Sequence, residues 1–139
     1  MRIVPIADSG GDARGGSFLL SLSALAPPLE EAFGPPFPLQ DAHVTTLRPG
    51  CVRGNHYHAL RQEILLVLPG AEWSLWWDCG DGTAVSSMSF DGAETVVVLV
   101  SPGCSHAVRN DGRHEMRIVG LSDQVYDQAN PDVHPRKVV

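Results

Sequence analysis

Residues 50–70 read GCVRGNHYHALRQEILLVLPG, and this stretch sets how the rest of the chain is read. Its skeleton is Gly50-x5-His56-x-His58-x4-Glu63-x6-Gly70. Successive side chains of a strand point to opposite faces, so His56 and His58, two apart, face the same side. Glu63 lies five beyond His58, the wrong parity for one unbroken strand. A turn at Ala59 to Gln62 must therefore re-aim the chain, after which Glu63, Leu65 and Val67 point inward. A second block, Gly103-x2-His106-x3-Asn110, follows the Pro102-Gly103 turn and brings a third imidazole from another strand. Neutral imidazoles and a carboxylate suit Zn, Fe, Mn, Ni or Cu, and His56, His58, His106 and Glu63 together leave open positions for water or substrate.

The surrounding sequence supports an all-β barrel. Eleven prolines and fourteen glycines cut the 139 residues into short pieces. Strands are expected near residues 2–6, 16–22, 40–48, 55–58, 62–68, 72–78, 84–90, 95–101, 105–109 and 115–121. Asp78 to Thr83 reads as a turn, and Asp91-Gly92 and Asp111-Gly112 punctuate in the same way. Residues 27–38 (PPLEEAFGPPFP) differ: Leu29 to Phe33 has room for one helical turn between prolines, and the segment reads as a mobile flap or an ordered loop. Residues 122–139 read as a polar tail laid over the surface. The length fits one domain.

Composition excludes several classes. Hydrophobic content is 43% and charged content 19%, which is globular. The net charge of −6, with no Lys/Arg run, argues against a nucleic-acid partner. Cys51, Cys79 and Cys104 form no CxxC pair and no disulfide framework, as in a reducing compartment. Cys51 and Cys104 read as small buried thiols. No apolar run approaches the roughly 20 residues of a spanning helix. The run FLLSLSALA (18–26) follows a stretch too acidic for a signal peptide and is expected to be a buried strand of a cytoplasmic protein. Ile64 to Leu68 and Val96 to Val100 are apolar on both faces, so the outer face of that sheet needs a cover. A second chain would make a homodimer, and the N-terminal strands are the alternative. His43, His114 and His134 have no motif context and read as surface residues. No Gly-x-Ser-x-Gly and no phosphate-cradling loop is present.

The two histidine blocks resemble the paired motifs of the cupin superfamily, although Pro102 sits directly before Gly103 rather than two residues away. The resemblance implies a double-stranded β-helix, or jelly-roll barrel, with metal bound at His56, His58, Glu63 and His106. Arg53-Gly54-Asn55-His56-Tyr57-His58 is similar to cupins acting on nucleotide-linked sugars. These include the dTDP-4-keto-6-deoxysugar 3,5-epimerases, the 3,4-ketoisomerases and the C-terminal cupin of capsular polysaccharide assembling reductases. Asp12-x-Arg14-Gly15 resembles the start of such enzymes, and Tyr126-Asp127-x3-Pro131-Asp132 the tail of the capsular group. The classical epimerases replace the second histidine and work without metal, and the ketoisomerases lack the glutamate. Retention of His58 and Glu63 here favours a metal-binding relative.

The resemblance implies proton abstraction beside a sugar ketone. His56 occupies the position of the base in metal-free relatives, but a metal-bound histidine cannot be that base; both roles stay open. Tyr57 faces away from the pair by parity. Arg53 and Arg14 are candidate phosphate contacts, with surface salt bridges as the alternative, and Asn110 is a candidate substrate contact. Two other classes compete: an iron-dependent cupin oxygenase and a non-catalytic small-molecule binder.

Overall fold

The alternating and doubly apolar segments assemble into two antiparallel sheets packed face to face. A computed structural model describes residues 1–6, 8–13, 15–18, 22–34, 37–80 and 83–139. In chain order the elements are β1 (Arg2–Ile6), β2 (Asp8–Asp12), β3 (Gly15–Phe18), α1 (Leu22–Phe33), β4 (Asp41–Leu47), β5 (Val52–Tyr57), β6 (Glu63–Val67), β7 (Trp73–Asp78), β8 (Ser86–Phe90), β9 (Thr95–Val100), β10 (Ser105–Asn110), β11 (Met116–Ser122) and β12 (His134–Pro135). One sheet runs β1-β9-β6-β11-β4 and the other β12-β5-β10-β7-β8, with β2 and β3 forming a separate ribbon. This is the jelly-roll barrel expected of a cupin.

Strand parity decides which side chains fill the barrel. Leu65, Val67, Val96, Val98 and Val100 point inward from the first sheet and meet Trp73, Leu75 and Val108 of the second. Trp73 stacks on Phe90 with ring centroids 4.0 Å apart. The outward residues Ile64, Val97 and Leu99 form a second apolar cluster. Its cover comes from the same chain: Leu29, Ala32 and Phe33 of α1, with Phe37, Val4 and Ile6, lie on it. The doubly apolar strands therefore need no second chain to explain them.

Two expectations near the N-terminus are corrected. The strand expected over 16–22 ends at Phe18, and the run read as a buried strand through Ala26 enters α1 at Leu22. That helix carries Pro27 and Pro28 in its interior, where proline removes main-chain donors. Leu29, Ala32 and Phe33, spaced i, i+3, i+4, form one apolar stripe on the sheet. This packing offsets the lost hydrogen bonds, so the prolines bound no single turn, and residues 27–33 of the expected flap or loop are helix. Arg14 lies outside the described residues, as do Pro35 and Pro36. Among the described residues, no helix is long and apolar enough to cross a membrane.

Candidate functional site

The site is built where β5 and β10 face the start of β6. His56 and His106 are direct partners in the β5–β10 ladder, with ring centroids 4.9 Å apart. His58 follows on the same face, its ring 4.9 Å from His56 and 5.8 Å from His106. The ligand nitrogens of the three histidines lie within 4.8 Å of one another. Glu63 Oε2 stands 3.4 Å from His106 Nε2 and 3.6 Å from His58 Nε2. His58, Glu63 and His106 are buried. The four side chains expected to converge do so.

The turn that re-aims Glu63 is tied down by Asp132. Its carboxylate accepts hydrogen bonds from the N–H groups of Ala59, Leu60 and Arg61, each at 2.8 Å. Burial alone would raise this carboxyl, but the three amides outweigh it and hold it at about 2. The Asp132 carbonyl also accepts a short hydrogen bond from His58 Nδ1. A carbonyl can only accept, so Nδ1 carries the hydrogen and the Nε2 lone pair is turned toward Glu63. The likeness at Tyr126-Asp127-x3-Pro131-Asp132 had marked this tail without giving it a role.

These contacts test the site's fitness for an ion. His58 Nε2 and His106 Nδ1 are buried without a hydrogen-bond partner. A buried lone pair facing a carboxylate is unfavourable unless a proton or a cation lies between them. An imidazole whose other nitrogen is fixed by a carbonyl is the usual arrangement of a metal-bound histidine. Burial, then the neighbouring His106 and His58, lower His56 to about 4, so this ring resists taking up a charge. Burial would raise the Glu63 carboxyl, but the two imidazoles facing it hold it well below the carboxylate range. A donor set of neutral rings and one anion fits a divalent transition metal.

The motif's other residues have structural reasons. Gly54 has φ +108°, and a Cβ there would overlap the His106 carbonyl and come within 2.7 Å of Ala107 Cα. Asn55 adopts a left-handed φ of 57° at a β-bulge, and its Oδ1 accepts from the Val138 and Val139 N–H groups at 2.8 and 3.1 Å. The bulge also changes the parity of the strand. Arg53 pairs with the inward Val108 and lines the cavity, so it shares the face of His56. Simple alternation had placed it on neither histidine's face. Tyr57 points away as expected and stacks on His134 at 5.0 Å.

The cavity beside the histidines is about 770 Å³. Arg48, Arg53, His56, Glu63 and His106 line it, and so does His43. His43 is exposed, as a surface side chain should be, and it lines this cavity as well; its shared parity with inward Leu47 was the available signal for the second role. Asn110 is outside the lining. It is fully buried, its Nδ2 donates to the Leu47 and His114 carbonyls at 2.8 Å, and its Oδ1 accepts from Gly112 N–H. It fastens the β10–β11 turn, and no polar atom is left for a substrate. Cys51 is exposed, not buried, while Cys104 is buried with its Sγ 2.7 Å from Cys79 Sγ.

Barrel and site together define a cupin-like fold with a cluster of three histidines and one glutamate. The chain belongs to the family described as the polysaccharide biosynthesis C-terminal domain, whose model matches residues 39–134. It is 30% identical over 89 residues to the UDP-2-acetamido-2,6-beta-L-arabino-hexul-4-ose reductase of Pseudomonas aeruginosa, covering 64% of this chain and 24% of that protein. The match thus spans about a quarter of that relative. Among solved structures, the capsular polysaccharide assembling protein CapF of Staphylococcus aureus superposes with a TM-score of 0.65 at 22% identity, covering 70% of this chain and 28% of that one. ChmJ, a 3'-monoepimerase from Streptomyces bikiniensis in complex with dTDP-quinovose, superposes with a TM-score of 0.73 at 20% identity, covering 96% and 67%.

Proposed function

We propose that this chain is a metal-binding cupin acting on a nucleotide-linked keto-sugar, an isomerase or epimerase that moves a proton beside the ketone. The observation that carries this reading is the convergence of His56, His58, His106 and Glu63 beside a cavity that Arg48 and Arg53 also line. The family and the sugar-handling relatives support the substrate class. In a chain of net charge −6, Arg48 and Arg53 supply the local positive charge that a diphosphate needs. The 770 Å³ cavity falls within the roughly 300–1,000 Å³ usual for small-molecule sites. A divalent ion held by the four donors would supply several kcal/mol by polarising the ketone oxygen as the enolate forms. His56 then serves as a ligand. Glu63 and the Asp132-anchored His58 hold the donor geometry, and the barrel wall of Leu65, Val108 and Ile118 limits water.

A cytoplasmic setting and a homodimer complete the proposal. The three cysteines are free thiols. Val44 on the edge strand β4 is 68% exposed and offers apolar surface for pairing. Light scattering checks the mass.

The test is incubation with dTDP- and UDP-linked 4-keto-6-deoxy sugars in deuterated water. Deuterium appearing in the sugar ring supports the reading. Binding without exchange would make the chain a binding module, and oxygen uptake with iron would make it an oxygenase; either result overturns the proposal.

A further inference from the structure

We propose that His43 is the base that takes the sugar proton, facing the substrate from the wall opposite the His56–His58–His106 cluster; this rests on the keto-sugar reading above. If His56 is committed to an ion, another group must accept the proton. Among the cavity-lining residues outside the cluster, His43 and Cys51 are the side chains able to exchange one, and imidazole is suited to doing so near neutral pH.

The fold builds a place for this ring. On β4, His43 pairs with Gly120 of β11, in the inward row that continues through Thr45–Ile118 and Leu47–Met116. A Cβ at Gly120 would overlap the His43 imidazole, and even its Nδ1 would be only 2.9 Å away. The ring therefore lies over β11 instead of standing upright on β4. On its far side Gly120 pairs with Leu65 of β6, and two residues along β11 Ser122 pairs with Glu63. A glycine at 120 thus lets the imidazole lean across the sheet toward the strand that carries Glu63. On this edge strand the ring is exposed to solvent while it lines the cavity.

The step is balanced without a co-reactant. The C–H bond beside the ketone breaks, the proton passes to the unprotonated nitrogen of His43, and the electron pair delocalises onto the carbonyl oxygen. Return of a proton restores the ketone. Exchange with solvent while the proton resides on the ring places solvent hydrogen in the sugar.

The experiment compares the unaltered protein, His43→Asn and Gly120→Ala on a dTDP-linked 4-keto-6-deoxy sugar in deuterated water, with metal content and sugar affinity measured alongside. His43→Asn is expected to slow exchange about 10²–10⁴-fold while affinity changes less than about threefold and metal content is kept. Gly120→Ala, which displaces the ring without removing it, is expected to slow exchange to a smaller degree. Added imidazole is expected to restore part of the rate in His43→Ala. Exchange by His43→Asn within about threefold of the unaltered protein overturns the assignment and leaves the sugar reading standing. An unaltered protein that shows no exchange overturns both.

Discussion

At the scale of single residues, the site depends on groups that are not themselves donors to an ion. Asp132 holds three amides of the turn between His58 and Glu63, and its main-chain carbonyl fixes the hydrogen on His58. Asp132→Ala leaves those amides without their charged acceptor. It is expected to cost roughly 1.5–3 kcal/mol of stability, read from denaturant unfolding. It should also weaken metal affinity about 10–100-fold, since the turn orients two of the donors. Unchanged affinity would show that the turn is held by other contacts. Gly54→Ala is expected to be worse than an ordinary surface change. A methyl there meets the main chain of His106 and Ala107, and the backbone is in the glycine region. The expected loss is about 2 kcal/mol or more, with the His56–His106 ladder contact disturbed, measurable by thermal melting and metal titration. Wild-type stability in Gly54→Ala would contradict the close strand approach.

At the scale of elements, α1 decides how the first sheet is covered. Phe33 is half-buried against Ile64, Val97 and Leu99, so Phe33→Ala is expected to lose roughly 1–3 kcal/mol and to expose the outer sheet face. Hydrogen exchange of β6 and β9 should quicken in that variant; unaltered protection would mean the helix contributes little there. This element is also where reading the sequence failed. The run 18–26 satisfied a strand pattern, and Pro27 and Pro28 argued against a helix that tertiary packing nevertheless forms. Nine of the expected strands have counterparts within a few residues, because alternation and turn residues are local signals. The His-x-His, glutamate and third-histidine positions were legible for the same reason. Arg53 was misplaced because a bulge at Asn55 shifts parity, and nothing in simple alternation announces a bulge. Asn110 was legible as part of a motif, but only its hydrogen bonds show that it fastens a turn.

At the scale of the whole molecule, the two sheets bring His56, His58, His106 and Glu63, from three strands and a turn, to one point beside the cavity. An ion bound there stabilises only the folded chain, so chelation is expected to lower the melting temperature and re-addition to restore it. A melting curve indifferent to chelator would mean the histidine cluster is held by protons alone. The most direct measurement is elemental analysis of the protein purified without added metal, beside His58→Ala and Glu63→Ala. About one transition-metal ion per chain is expected in the unaltered protein and sharply reduced occupancy in both variants, with the barrel still folded by circular dichroism. A metal-free protein that takes up none on incubation, or full retention of metal in both variants, would contradict it.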